Sequence, residues 1–193
     1  GWAAFPARRA GRAQPRAEAV RPMPWEAVYK TKRALKGRQN HKAMPQSLAK
    51  IYTHLVCSTK HREPRLTDDI RADLPAYMGG TLPGLGCHPI EINSEPEHIH
   101  ALFLLGRTLA LSDAIGQLKT SSNDWLRAQD VRLAQFYWPG GYGAFSAGRS
   151  GVDELRQYIR NEPEHHRQVS YQDEFRAFLR RYEIQYDERY VWD

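Results

Sequence analysis

At 193 residues, with 41% hydrophobic and 11% aromatic side chains, the chain is long enough for one substantial core and too apolar for wholesale disorder. Its longest apolar run, Ala101 to Leu105, excludes a membrane-spanning helix, and Cys57 and Cys87, outside any CxxC pair, indicate neither a disulfide framework nor a cysteine zinc site. The net charge of +6 is unevenly placed: residues 1–43 carry 11 Lys/Arg against two acids, residues 44–193 carry 17 against 20. Overall basicity is therefore no argument that the folded part binds nucleic acid; local clusters must carry that case.

Residues 1–43 are rich in Arg, Ala and Pro without a sustained apolar period, and read as a basic, disordered tail. The patterned domain spans 44–193. Residues 51–58 read as a first strand, followed by the basic loop 59–65. Thr67 is placed to cap a helix with Asp68 and Asp69 in its first turn and Ile70, Leu74, Tyr77 and Met78 on its apolar side. Pro83, Gly84 and Gly86 break the chain before a second strand over 87–93, and a third strand over 98–105 completes a hairpin. Ser112 caps a further helix with Ile115, Leu118, Trp125 and Leu126 at helical spacing. The glycine-rich bend 139–146 leads into a fourth strand. A helix then runs from Ser150 to about Asn161, where Pro163 ends it, and a last helix spans 171–182 with Phe175, Phe178 and Leu179 inward.

Strand, helix, strand, strand, helix, strand is the split βαβ order. The expected fold is α+β: a ferredoxin-like split βαβ with a four- to five-stranded antiparallel sheet and additional C-terminal helices. Without a secretory h-region or membrane span, a cytoplasmic location is expected.

Two places carry chemistry. On the third strand, His98 and His100 are two residues apart and share a face, about 7 Å apart at Cα, so both imidazoles can reach one metal ion. On the helix after the glycine-rich bend, Tyr158 and Glu162 are four apart and share a face. Brought over the strand, they make a His-His-Glu metal site with a phenol beside it, and such a donor set leaves positions open for a substrate oxygen. Lys60, Arg62, Arg65 and Lys119 are candidate phosphate contacts, and Tyr142 and Phe145 candidate stacking partners for unpaired bases. His165 and His166 are not taken as ligands, because adjacent side chains on a helix diverge.

His98-Ile99-His100 has the HUH form (His, hydrophobic, His), and Tyr158 with Glu162 matches a Tyr-x-x-x-Gln helix except at its last position. With residues 56–62, 141–146 and 158–166, the pattern over 44–193 resembles the single-tyrosine HUH transposases of small bacterial insertion sequences and their REP-associated relatives. The resemblance implies a metal-dependent single-stranded DNA endonuclease and strand transferase. His98, His100 and Glu162 would hold Mg²⁺ or Mn²⁺ at the scissile phosphate, and Tyr158 would attack it to form a 5′-phosphotyrosine. It also implies a homodimer with shared active sites, acting on single-stranded DNA with hairpins near the element ends and nucleoid-associated when bound. A domesticated hairpin-binding protein with little or no catalysis is the alternative. The departure is Glu162: its carboxylate is expected to hold the metal while partly neutralising its charge, giving reduced or metal-shifted activity relative to a Gln variant.

Overall fold

The structure, a computed structural model, describes residues 48–192; the basic segment 1–43 lies outside them. Strand β1 (Tyr52–Ser58) leads into helix α1 (Asp68–Thr81), followed by the hairpin β2 (His88–Ser94) and β3 (His98–Leu104). Helix α2 (Leu111–Gln129), strand β4 (Gly143–Ala147) and three C-terminal helices follow: α3 (Val152–Arg160), α4 (Glu162–His165) and α5 (Tyr171–Arg181). The four strands form one antiparallel sheet in the order β2-β3-β1-β4, the order a split βαβ requires. The fold is therefore the expected α+β class. No helix among the described residues is long and apolar enough to cross a membrane.

The period-two pattern explains why the central strands are buried on both faces. Leu55, Cys57, Ile99, Ala101 and Phe103 point to one side, where they pack with Ile70, Leu74 and Met78 of α1 and Ile115, Leu118 and Leu126 of α2. The opposite side carries Tyr52, Val56 and Leu102 beneath Val152 and Ile159 of α3 and Tyr171, Phe175 and Leu179 of α5. His54, His98 and His100 share that second side, His100 lying opposite Val56 and Asn93 in the register. Cys57 and Cys87 are both free and buried.

Several boundaries differ from expectation. Helix α2 starts at Leu111 with Ala110 as N-cap, and α3 starts at Val152 behind Gly151, so neither Ser112 nor Ser150 caps a helix. Thr67 does hold the N-cap position of α1, but its side chain makes no capping bond. Pro163 does not end the tyrosine helix. That helix ends at Asn161, whose N–H donates to the carbonyls of Gln157 and Tyr158 (3.0 and 3.1 Å), and Pro163 opens the short helix α4. A proline lacks the N–H that a helix start leaves unused, so it suits a first turn better than a last one. The break turns Glu162 inward, to complete burial.

Phe145, a candidate base-stacking residue, is 2% exposed and packs among Phe175, Phe178 and Tyr182. Lys119, a candidate phosphate contact, is also buried: its Nζ donates to the carbonyls of Pro139 (2.8 Å) and Gly141 (2.7 Å), and burial lowers its pKa. The ammonium ties α2 to the glycine-rich bend rather than facing solvent. A Lys119→Met variant is expected to lose about 2 kcal/mol of stability, since hydrogen bonds from a charged donor to buried carbonyls contribute on that scale. Urea unfolding measures it; an unchanged midpoint accompanied by weaker, less salt-sensitive DNA binding would return Lys119 to the phosphate-contact role.

Candidate metal centre and its tyrosine

His98 and His100 stand side by side on β3, both with no solvent exposure. The end of α3 is fixed above them by burial of Ile159 and by Asn93, whose Nδ2 donates to the Ile159 carbonyl (2.8 Å), one of the acceptors a helix end leaves open. Glu162, just past that end, places Oε1 3.1 Å from His98 Nε2 and 2.9 Å from His100 Nε2. The three candidate ligands expected from sequence are thus brought together.

Two further residues join them. His166 places Nε2 3.1 Å from His98 Nε2, and Glu174 of α5 places Oε2 3.4 Å from both His100 Nε2 and His166 Nε2. One donor atom from each of the five residues lies within 4.8 Å of every other. His165 and His166 do diverge: the ring of His165 turns to Tyr158 (5.2 Å between centroids), that of His166 to His98 (4.5 Å). Divergence removes only one of the two, however: His166 faces the cluster that His165 turns away from. Its legible signal is the four-residue spacing from Glu162. For Glu174 it is position: this carboxylate lies on the same apolar stripe as Tyr171, Phe175 and Phe178.

The groups behind the imidazoles orient them. His54 Nε2 lies 2.9 Å from His100 Nδ1, and His166 Nδ1 lies 2.9 Å from the Val169 carbonyl, leaving the Nε2 atom of each ring for the cluster. Burial and the neighbouring His100 push the His54 pKa down to about 3, so His54 is neutral. Glu97 Oε1 sits 3.4 Å from His98 Nδ1 without hydrogen-bond alignment.

The cluster does not satisfy itself. His100 Nε2, Glu162 Oε2 and Glu174 Oε2 are buried without an aligned hydrogen bond, although His100 Nε2 is close to carboxylate oxygens. Short contacts without hydrogen-bond geometry are what ligands around a shared cation present, and imidazole with carboxylate suits a divalent ion. Metal-free, the charges lean on one another. Burial alone would raise the Glu162 carboxyl, but the close positive charge of His100 and then the contact with His98 hold it down at about 2. Burial alone would lower His100, but Glu162 and Glu174 lift it to about 10. Glu174 is held well below the usual carboxylate range against burial, chiefly by His100 and His166.

Tyr158 stands at the edge of this centre, its ring 6.2 Å from that of His100 and its hydroxyl donating to Glu174 Oε1. Burial, then the Glu174 charge, pushes the phenol pKa up. Beside it opens a cavity of about 390 Å³ lined by Leu155, Tyr158, His165, Glu174, Phe178 and Arg181, among others. The basic loop after β1 adjoins the start of β3, where the Thr59 N–H donates to the Glu97 carbonyl (2.7 Å), and its side chains are internally engaged. Lys60 Nζ is 2.5 Å from Tyr137 Oη, Arg62 Nη1 donates to the Trp192 carbonyl (2.8 Å), and Arg65 Nε donates to Glu63 Oε2 (2.8 Å).

A family model described as "Transposase IS200 like" matches residues 47–162, which include His98, His100, Tyr158 and Glu162 but neither His166 nor Glu174. No curated protein sequence matches the chain. Among solved structures, a protein of Deinococcus radiodurans R1 described as a transposase is similar at 19% identity and a TM-score of 0.49, over 62% of this chain and 96% of its own. A REP-associated tyrosine transposase bound to a REP hairpin is similar at 13% identity and a TM-score of 0.48, over 65% of this chain and 74% of its own. With the family model spanning more than half of its length, this chain belongs to the IS200-like transposases.

Proposed function

We propose that this transposase is a metal-dependent endonuclease and strand transferase for single-stranded DNA, with Tyr158 as nucleophile and His98, His100 and Glu162 as metal ligands. The observation that carries the reading is the convergence of those three donors, at 2.9–3.1 Å, beside a tyrosine whose hydroxyl is already held by a carboxylate. When bound, a divalent cation supplies charge neutralisation at a phosphate. The chain's own groups do the rest. Glu174 Oε1 accepts the phenol proton as Tyr158 Oη forms a bond to phosphorus and the P–O3′ bond breaks. The departing 3′ oxygen takes a proton from water, leaving a 5′-phosphotyrosine and a free 3′-hydroxyl. Because the link keeps the phosphodiester energy, a second 3′-hydroxyl can reverse the step on another strand, and the proton on Glu174 returns to the phenol. The cavity beside Tyr158 has room for part of a nucleotide, with Phe178 as an apolar wall and Arg181 as a cation. The homodimer and hairpin-bearing DNA implied by the sequence resemblance belong to this proposal, as do phosphate contacts from Lys60, Arg62 and Arg65.

The test offers labelled single-stranded oligonucleotides from both flanks of the gene with Mg²⁺ or Mn²⁺, and looks for protein-linked label on denaturing gels. An adduct that disappears with chelator and in His100→Ala is expected. Tight, metal-independent hairpin binding without any adduct would sink the catalytic reading in favour of a DNA-binding role.

A further inference from the structure

We infer that His166 and Glu174 complete a five-donor centre of three imidazoles and two carboxylates, and that this centre selects a transition-metal ion over Mg²⁺. The inference rests on reading the cluster as a metal centre, and extends that reading beyond His98, His100 and Glu162.

The spacing fits one ion. An ion about 2.1 Å from each ligand separates neighbouring donors by about 3 Å and opposite donors by about 4.2 Å. The contacts among the five residues run from 2.9 to 3.8 Å, and donors as much as 4.8 Å apart need to close by only about 0.6 Å to share the ion. His166 and Glu174 are not peripheral to this set, since each approaches two or more of the others within 3.4 Å or less.

His166 is also built as a ligand. Its Nδ1 engages the Val169 carbonyl, the kind of outer contact that fixes a metal-binding imidazole with Nε2 presented inward. Glu174 Oε2 is buried without a hydrogen bond, while Oε1 accepts from Tyr158. A closed network of ion pairs would use those atoms on one another. Here His100 Nε2 and Glu174 Oε2 sit 3.4 Å apart and neither is satisfied.

The donor chemistry sets the selectivity. Mg²⁺ demands oxygen ligands in a near-ideal octahedron and dehydrates reluctantly, so three imidazole donors disfavour it. Mn²⁺, Fe²⁺, Co²⁺ and Zn²⁺ accept imidazole with carboxylate, with affinity rising from Mn²⁺ to Co²⁺. Five protein donors leave one position of an octahedron for a substrate oxygen, whereas His98, His100 and Glu162 alone leave three.

Calorimetric titration of the chelator-stripped full chain with MgCl₂, MnCl₂ and CoCl₂ tests this, with the Co²⁺ visible spectrum as a second readout. Co²⁺ is expected to bind at least about 100-fold tighter than Mg²⁺, with Mn²⁺ between them. His166→Ala and Glu174→Gln should each weaken Co²⁺ by about 10-fold or more and alter its spectrum, while the exposed Arg167→Ala should change neither. Circular dichroism confirms that each variant is folded, and if Glu174→Gln is not, the half-buried His166 carries the test. Mg²⁺ affinity within a few-fold of Co²⁺, or unchanged Co²⁺ affinity and spectrum in a folded His166→Ala, would overturn the inference. A three-ligand nuclease would survive that result. Conversely, tight five-donor binding with no covalent DNA adduct would sink the nuclease reading and leave this one standing.

Discussion

A Tyr158→Phe variant is expected to lose covalent capture of single-stranded DNA by roughly 10⁴-fold or more, because removing the proposed nucleophile leaves only much slower reaction paths. The fold should survive. The phenylalanine ring keeps its packing against His165 and Phe178, whose ring centroids lie 5.2 and 6.1 Å away. What is lost is the hydroxyl on Glu174 Oε1, at a cost of about 1–2 kcal/mol, moderated because the adjoining cavity can admit water to that oxygen. Metal affinity should stay within a few-fold of wild type, as Tyr158 Oη bonds Glu174 Oε1 while the proposed ligand atom of Glu174 is Oε2. Denaturing gels read the adduct, and titration of the same preparation reads the metal. Label still attached to Tyr158→Phe would assign the nucleophile to another residue.

The contrast between what the chain announces and what it conceals has a physical basis. The HUH strand was legible because period two alone puts His98 and His100 on one face, and an apolar strand buries whatever shares that face. Tyr158 and Glu162 were legible as a pair four apart, though not the break at Asn161 between them, because Pro163 serves a helix start as well as it prevents continuation. Glu174 and His54 lie far from the histidine strand in sequence, 74 residues after His100 and 46 before it. Their approach depends on β1 pairing with β3 and on α5 returning over the sheet, long-range events that no local pattern encodes. A carboxylate on an otherwise apolar stripe was the one available sign. Lys119 is the complementary case: a lysine on an amphipathic helix reads as solvated, and only the fold of the glycine-rich bend supplies the carbonyls that bury it.

Glu162 is where the chain departs from the glutamine of the family it resembles, and a Glu162→Gln variant should alter both stability and chemistry. In the metal-free protein the His100–Glu162 pair is fully buried. His100, raised to about 10, contributes stability that is complete below its unfolded pKa near 6.5 and is lost as pH climbs through 10. Glu162, lowered to about 2, contributes stability present above about 4.5 and lost as pH falls through 2. Both limbs report one ion pair and must not be counted twice. Glutamine removes the charge but keeps the size, and Glu174 remains 3.4 Å from His100, so the expected loss is about 3 kcal/mol near pH 6, at the lower end for breaking a buried pair, and it shrinks above pH 10. Thermal melts across pH should therefore flatten in the variant. Metal affinity should fall, by roughly 10-fold, because one of two carboxylates has lost its charge. Cleavage per bound metal should rise, because a neutral amide leaves more of the ion's charge for the phosphate and repels the Tyr158 oxyanion less. Equal cleavage rate at saturating Mn²⁺ with equal metal preference would show that the carboxylate at 162 tunes nothing. A faster variant with weaker metal binding would show that this chain exchanges turnover for a more tightly held metal.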